Sequence, residues 1–146
     1  MVESSALQLV FTAAKTQELA LTQLSDHLLS MGYKGVTPSV LSFLSALDCG
    51  ANYASDIARN LGVSRQMVAK TVRELTDKGF LCVIQDAGRQ KPIEFTLEGE
   101  QLIANARLWL SNVDTRAQHQ LGENRLRSLA EGLSEVNQLL GNIEKE

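Results

Sequence analysis

Residues 54–68 constrain the fold more than any other part of the chain, because they carry the pattern of two short helices joined by a tight turn. Apolar residues at helical spacing predict a helix over Ala54–Leu61, and Gly62 then interrupts the pattern. Ser64 is a favourable N-cap for a second helix, and Gly79 is a typical stop just beyond the end of that helix. A glycine in the turn supplies the positive φ that a sharp connection needs. The pattern therefore predicts a helix-turn-helix.

The hydrophobic period changes directly after the second of these helices. Phe80–Ile84 is a short apolar run, and Ile93–Leu97 alternates apolar and polar residues. The polar loop between them contains Gly88 and two cations, Arg89 and Lys91. Two short strands joined by such a loop predict a β-hairpin. The hairpin would form a wing beside the helix-turn-helix.

Helical patterns also occupy the two ends of the chain. The apolar spacing predicts a first helix over about residues 5–30. Thr37 as N-cap and Pro38 at the first helical position predict the start of the next helix, which Gly50 would end. Thr96 is an N-cap for a further long helix. Two prolines and 5% aromatic residues suit this composition of long helices. The predicted fold class is mainly α with a small β-hairpin wing, a winged helix-turn-helix with additional helices at both ends.

The last part of the chain has the spacing of a coiled coil. After Gly122, apolar residues recur at alternating intervals of three and four, at Leu126, Leu129, Leu133, Val136, Leu140 and Ile143. Such a stripe could cover the domain's own core or pack against a second copy. Its regularity favours a two-fold homodimer, the commonest soluble oligomer. We therefore expect dimerisation helices over about residues 5–30 and 98–144.

Length and charge set the domain count and the class of partner. A chain of 146 residues predicts a single domain over residues 1–146, with the winged lobe at about residues 36–97. The net charge of -3 alone argues against nucleic acid. However, residues 54–91 contain seven basic and four acidic side chains, which leaves this segment at +3. Because the local charge sets the field near a phosphate backbone, double-stranded DNA is the expected partner.

The outward face of the second helix of the helix-turn-helix carries side chains suited to DNA. An arginine can bond guanine through two hydrogen bonds, a glutamine can bond adenine, and the cations one and two turns further on are placed for phosphates. The basic hairpin would add contacts to the backbone or the minor groove. The candidate DNA-binding residues are Ser64, Arg65, Gln66, Ala69, Lys70, Arg73, Arg89 and Lys91. The alternative is a winged helix that serves protein contacts without binding DNA.

Over about residues 36–104 the chain resembles the multiple-antibiotic-resistance regulator (MarR) family of winged-helix transcription factors. The resemblance is carried by Thr37-Pro38, residues 54–64, residues 68–75, Asp77-Lys78-Gly79-Phe80-Leu81 and Phe95-Thr96-Leu97-Glu98-Gly99. It implies a dimer with two winged lobes, each of which recognises half of a pseudo-palindromic operator. It also implies a repressor, often released from DNA by a small aromatic ligand.

The resemblance implies roles for individual residues as well. The helix from Ser64 to about Thr76 would be the recognition helix, and Arg89, seven residues before Thr96, would be the wing arginine. The wing departs from the family pattern at Ala87 and Gly88, where an acidic residue and an arginine are usual. Thr71 also stands where an apolar residue is usual.

Other residue patterns exclude most alternative functions. No catalytic constellation, phosphate loop or metal-ligand spacing is present in the sequence, so we expect no enzyme activity, cofactor or metal. The residue pattern predicts neither a signal peptide nor a membrane span, so we expect a cytoplasmic protein without membrane contact. Cys49 and Cys82 leave redox sensing open, although inert packing is the more frequent role of such cysteines. Tyr33 and Trp109 could line a ligand pocket, but a core or interface role is favoured.

Overall fold

The computed structural model describes residues 4–85 and 88–143. It confirms a mainly helical chain with one two-stranded antiparallel hairpin. Asp86 and Ala87, where the sequence predicts the hairpin loop and a departure from the family pattern, lie outside the described residues. The elements are α1 (Ser5–Ser30), α2 (Pro38–Leu44), α3 (Ala54–Leu61), α4 (Arg65–Asp77), β1 (Leu81–Val83), β2 (Ile93–Phe95), α5 (Leu97–Leu121) and α6 (Glu123–Asn142).

The chain divides into two compact units, residues 1–106 and residues 107–146. Six side chains in the first unit are almost completely shielded from solvent, and they come from five different elements. The first unit therefore has a core to which α1, α3, α4, β1 and the start of α5 all contribute. These core residues are Leu28, Ile57, Val68, Leu75, Leu81 and Leu102.

Side-chain caps fix where two of the helices begin. The Thr37 hydroxyl accepts a hydrogen bond from the Val40 N–H at 3.2 Å, and Pro38 occupies the first turn of α2. The Ser64 hydroxyl accepts from the Met67 N–H at 3.1 Å and begins α4 in the same way. Each cap satisfies a backbone donor that has no partner within its helix. These two N-caps, both predicted from the sequence, are thus confirmed.

The predicted end of α2 at Gly50 is wrong, because the helix ends at Leu44. Beyond it the backbone turns more tightly: the Ala46 N–H bonds the Phe43 carbonyl and the Leu47 N–H bonds the Leu44 carbonyl, both at 3.1 Å. Leu47 still packs half-buried against the unit, so its apolar spacing continues although the helix does not. Periodicity alone does not distinguish a helix from successive tight turns.

The hairpin is shorter than its sequence pattern indicates. Phe80 and Ile84 lie outside β1. β2 ends at Phe95 because the next residue, Thr96, caps α5. The strands pair antiparallel, with Leu81 opposite Phe95, Cys82 opposite Glu94 and Val83 opposite Ile93. An isolated antiparallel bridge joins Ile93 to Asn52 on its other side.

The start of α5 lies against the turn that follows α4. The Thr96 N–H donates to the Phe80 carbonyl at 3.0 Å, and the Thr96 hydroxyl donates to the Gly79 carbonyl. The same hydroxyl accepts from the Gly99 N–H at 3.1 Å, so Thr96 caps the helix as predicted. A Cβ on Gly99 would lie 2.0 Å from the Phe80 oxygen. Only glycine allows this approach of the two backbones.

The second unit consists of the end of α5 and the whole of α6. Gly122 separates these helices at φ 83° and ψ 151°, a conformation almost confined to glycine, which confirms the predicted restart. No residue of α6 is buried. Along the coiled-coil stripe the exposed fractions of Leu129, Leu133, Leu140 and Ile143 are 50%, 37%, 49% and 59%. The prediction that this stripe joins a second copy stays a prediction.

Candidate nucleic-acid interface

The turn between α3 and α4 has the geometry that its sequence predicts. Gly62 is left-handed at φ 64°, and the Val63 N–H donates to the Ala58 carbonyl at 3.0 Å. Ala58 is 7% exposed and Ile57 is 2% exposed. The small Ala58 side chain lies in the middle of α3, and its carbonyl binds the first residue after the turn. Together these residues fix a helix-turn-helix.

The recognition helix α4 has one buried face and one exposed face. Val68, Val72 and Leu75 are buried. All six candidate residues on or capping this helix are exposed: Ser64, Arg65, Gln66, Ala69, Lys70 and Arg73. The structure therefore brings these side chains together on the solvent side of a single element. Its 13 residues extend about 20 Å, a length that can lie in the major groove of B-DNA.

No acidic side chain of the described residues forms an ion pair with the cations of this face. Over residues 4–85 and 88–143 the side-chain ion pairs are Lys15–Glu18, Arg59–Asp56 and Arg127–Glu123. None of them involves Arg65, Lys70 or Arg73. These three side chains therefore keep their charge and donors available for phosphate or base oxygens.

The wing carries two cations, and one of them, Lys91, lies on the same side as α4. Arg89 and Lys91 are both exposed. Lys91 lines a groove between α4 and the hairpin, and Arg73 lines the same groove from the helix. The Ile84 N–H donates to the Pro92 carbonyl at 2.9 Å, which closes the hairpin next to Lys91. Arg73 of the helix and Lys91 of the wing thus contribute cations to one groove.

Solved structures superimpose on almost the whole of this chain. A MarR-family transcriptional regulator from Rhodococcus sp. RHA1 gives a TM-score of 0.67 at 18% identity, over 92% of this chain and 97% of that chain. The transcriptional regulator BldR from Sulfolobus solfataricus gives a TM-score of 0.68 at 24% identity, over 94% of this chain and 96% of that chain. Staphylococcus aureus MepR in its complex with DNA gives a TM-score of 0.67 at 17% identity, over 95% of this chain and 99% of that chain. This chain has the MarR fold.

The likeness to MarR regulators is one of structure rather than of sequence. No protein-family model and no curated protein matches this chain. At identities below 25% the shared fold can be retained while most side chains differ. The site of this chain must therefore be argued from its own residues.

Sequence reasoning missed two features of this site. Asn52 is 7% exposed, yet its amide is fully hydrogen-bonded, and it lies beside the first residue of β2. A clue was available, since Tyr53, the residue before α3, makes no side-chain cap and the start of this helix needs other support. Met67, which the apolar pattern of α4 includes, is instead 55% exposed. It lines a groove between α4 and α2 that Val40 and Phe43 also line.

Tyr33, one of the two aromatic residues considered for a ligand pocket, is engaged within the first unit. Its hydroxyl accepts a hydrogen bond from the Asn105 amide at 2.9 Å. Its ring centre lies 6.2 Å from that of Phe80, a distance typical of packed aromatic pairs. Trp109, in the second unit, is half-buried. These contacts favour a structural role for Tyr33.

Other candidate chemistry is sparse in the described part of the chain. Cys49 is exposed, whereas Cys82 is half-buried in β1. Within residues 4–85 and 88–143, no group of His, Cys, Asp or Glu side chains could hold a metal ion. In the same residues, no helix is both long and apolar enough to span a membrane.

Proposed function

We propose that this chain is a MarR-family transcriptional regulator that binds double-stranded DNA in a sequence-specific manner as a homodimer. The observation that carries the proposal is the exposed face of α4, on which Arg65, Lys70 and Arg73 have no ion-pair partner within the described residues. The face belongs to a helix-turn-helix with a basic wing directly after it. A module that serves protein contacts alone would not need three such cations together.

Each part of the surface has a distinct role in the proposed complex. The N-terminal end of α4 enters the major groove, where Arg65 bonds guanine and Gln66 bonds adenine. Lys70 and Arg73 bind phosphates, which fixes the position of the helix. The wing cations Arg89 and Lys91 contact the backbone or the minor groove. Specificity therefore comes from the start of α4, and salt-dependent affinity comes from the remaining cations.

The apolar stripes of the terminal helices support the homodimer. Leu129, Leu133 and Leu140 of the α6 stripe are exposed, and so are Leu7 and Val10 of α1, at 57% and 51%. A second copy that covers these side chains would remove apolar surface from water. Two-fold symmetry then presents two α4 helices to two half-sites of a pseudo-palindromic operator. The solved MepR–DNA complex, whose fold this chain shares, is consistent with that arrangement.

The regulatory part of the proposal follows from the family resemblance. The regulator would act in the cytoplasm as a repressor, without catalysing a reaction. Its release from DNA by a small aromatic ligand stays a prediction. Tyr33, one of the two aromatic candidates for a ligand pocket, already contacts Asn105 and Phe80 within the first unit.

The deciding experiment is fluorescence anisotropy with the DNA upstream of the protein's own gene and with a scrambled duplex, each at two salt concentrations. Tight binding to the upstream DNA alone, with a steep decrease as salt rises, is the expected result. Selection of bound genomic fragments would then identify more distant operators. If neither experiment gives sequence-dependent binding, the proposal is wrong and the interaction-module alternative is favoured.

A further inference from the structure

Asn52 joins two parts of the winged lobe that are far apart in sequence. It lies in the connection between α2 and α3 and is 7% exposed. Its Oδ1 accepts from the Asp48 N–H at 2.7 Å. Its Nδ2 lies within hydrogen-bond distance of three backbone carbonyl oxygens, at 2.9 Å from that of Asp48, 3.0 Å from that of Gly50 and 3.2 Å from that of Ile93. The side chain thus organises its own loop and also reaches the hairpin.

The backbone of Asn52 makes the same connection. The Asn52 N–H donates to the Ile93 carbonyl at 3.0 Å, and the Ile93 N–H donates to the Asn52 carbonyl at 2.7 Å. On its other side Ile93 is paired with Val83 of β1. The first residue of β2 is therefore held from both edges. Lys91 lies only two residues before it.

An anchor at this point has a specific effect on the wing. A three-residue strand pair is marginally stable alone, and an exposed loop retains conformational freedom that DNA binding must remove. Anchoring Ile93 to the loop before α3 fixes the base of the wing relative to the helix-turn-helix. The cations on the wing are then oriented before the protein binds DNA.

We propose that Asn52 is a positioning residue of the DNA interface, which holds β2 in place so that the wing presents Arg89 and Lys91 to the DNA that α4 binds. This proposal rests on the proposed function, because it assigns those cations to DNA. It does not place Asn52 in contact with DNA.

Amide hydrogen exchange tests the anchor without DNA. In Asn52→Ala, the Ile84 and Ile93 amides should exchange at least about tenfold faster. Without the hydrogen bonds of the Asn52 side chain, local opening of the hairpin costs less free energy. The amides of Val72 and Leu75 in α4 should keep their protection. Asn60→Ala, which alters an exposed asparagine of α3, is the matched control and should change neither set. Unchanged hairpin amides in Asn52→Ala would overturn the proposal.

A mutant cycle tests the consequence for DNA binding. The wing double variant Arg89→Ala/Lys91→Ala should reduce the slope of log affinity against log salt by about 2. Asn52→Ala should weaken binding and lower the slope in the same direction. When it is combined with the wing double variant, no further loss should occur, since the cations it positions are absent. If the losses multiply as independent effects do, Asn52 does not act through the wing.

The two experiments separate this proposal from the proposed function. If the wild-type protein binds no DNA, the proposed function fails, and the proposal fails with it even where the exchange data establish the anchor itself. If Asn52→Ala does not fold, Asn52→Ser retains a hydroxyl for one of the partners and is carried through both experiments. A wild-type protein that binds DNA, with Asn52 variants indistinguishable from Asn60→Ala, overturns only the role of Asn52.

Discussion

Replacing Gly99 with alanine should destabilise the protein by about 3 kcal/mol. Gly99 lies buried in the first turn of α5, and an added Cβ would be 2.0 Å from the Phe80 oxygen and 3.1 Å from a ring carbon of Phe95. Because the first of these neighbours is backbone, it cannot rotate away as a flexible side chain would. The start of α5 must move relative to the turn after α4.

Three terms give the magnitude. Overpacking of this kind costs about 1–3 kcal/mol. Displacing α5 also stretches the hydrogen bond from the Thr96 N–H to the Phe80 carbonyl, 3.0 Å in the native protein, at a cost of about 1–3 kcal/mol. The better helix propensity of alanine returns about 1 kcal/mol. The net loss of about 3 kcal/mol corresponds to a decrease in Tm of about 10 °C.

Urea unfolding followed by circular dichroism, at one fixed protein concentration, measures this difference. Gly50→Ala is the matched control, since a Cβ there meets no atom within 4 Å and the φ of Gly50 is outside the left-handed region. The control should stay within about 0.5 kcal/mol of the wild type. If Gly99→Ala is as stable as Gly50→Ala, the close approach of α5 to Phe80 is not a constraint on this fold.

Further substitutions test the turn, the interface with DNA and the dimer. Gly62→Ala places a Cβ at φ 64° and should cost about 1–2 kcal/mol in the same urea assay, whereas an unchanged stability would contradict the left-handed turn. Arg65→Ala should weaken binding to the best operator by about 1–3 kcal/mol and relax preference at one base pair, while Arg89→Ala should weaken binding evenly across sequences. Anisotropy with single-base variants of the operator distinguishes the two patterns, and unchanged affinity in Arg65→Ala would show that α4 docks differently. Replacing both Leu133 and Leu140 with charged residues should abolish the dimer, as measured by light scattering, and with it tight DNA binding. A variant that stays dimeric would exclude the α6 stripe as the interface.

Local chemistry made much of this fold predictable from the sequence. The hydroxyls of Thr37 and Ser64 cap helices by accepting a hydrogen bond from the backbone N–H three residues later. The neighbouring sequence therefore suffices to predict both caps. Gly62 and Gly122 likewise mark turns whose positive φ other residues rarely adopt. The exposed face of α4 followed from its helical period alone. Each of these features depends on residues within one or two turns.

The missed features depend on contacts between distant segments. The end of α2 is followed by a loop that Asn52 holds through Asp48 and Gly50, so apolar spacing could not reveal it. The bridge from Asn52 to Ile93 spans 41 residues, and nothing in either local pattern indicates the pairing. Met67 lines a groove between α4 and α2, so its exposure depends on the packing of two helices that are separate in sequence. Tertiary packing sets all three, and a single sequence carries little information about it.

In the proposed dimer, the apolar stripe of α6 makes chain concentration a folding variable. No residue of this helix is buried, and in proteins most of the stability of a helix comes from packing of its apolar face. In the proposed dimer, the second copy supplies the packing that orders α6, so mass action links folding to association. The melting temperature should then rise with protein concentration. In the cell, the number of copies would set both how much operator is occupied and how much of the chain is folded.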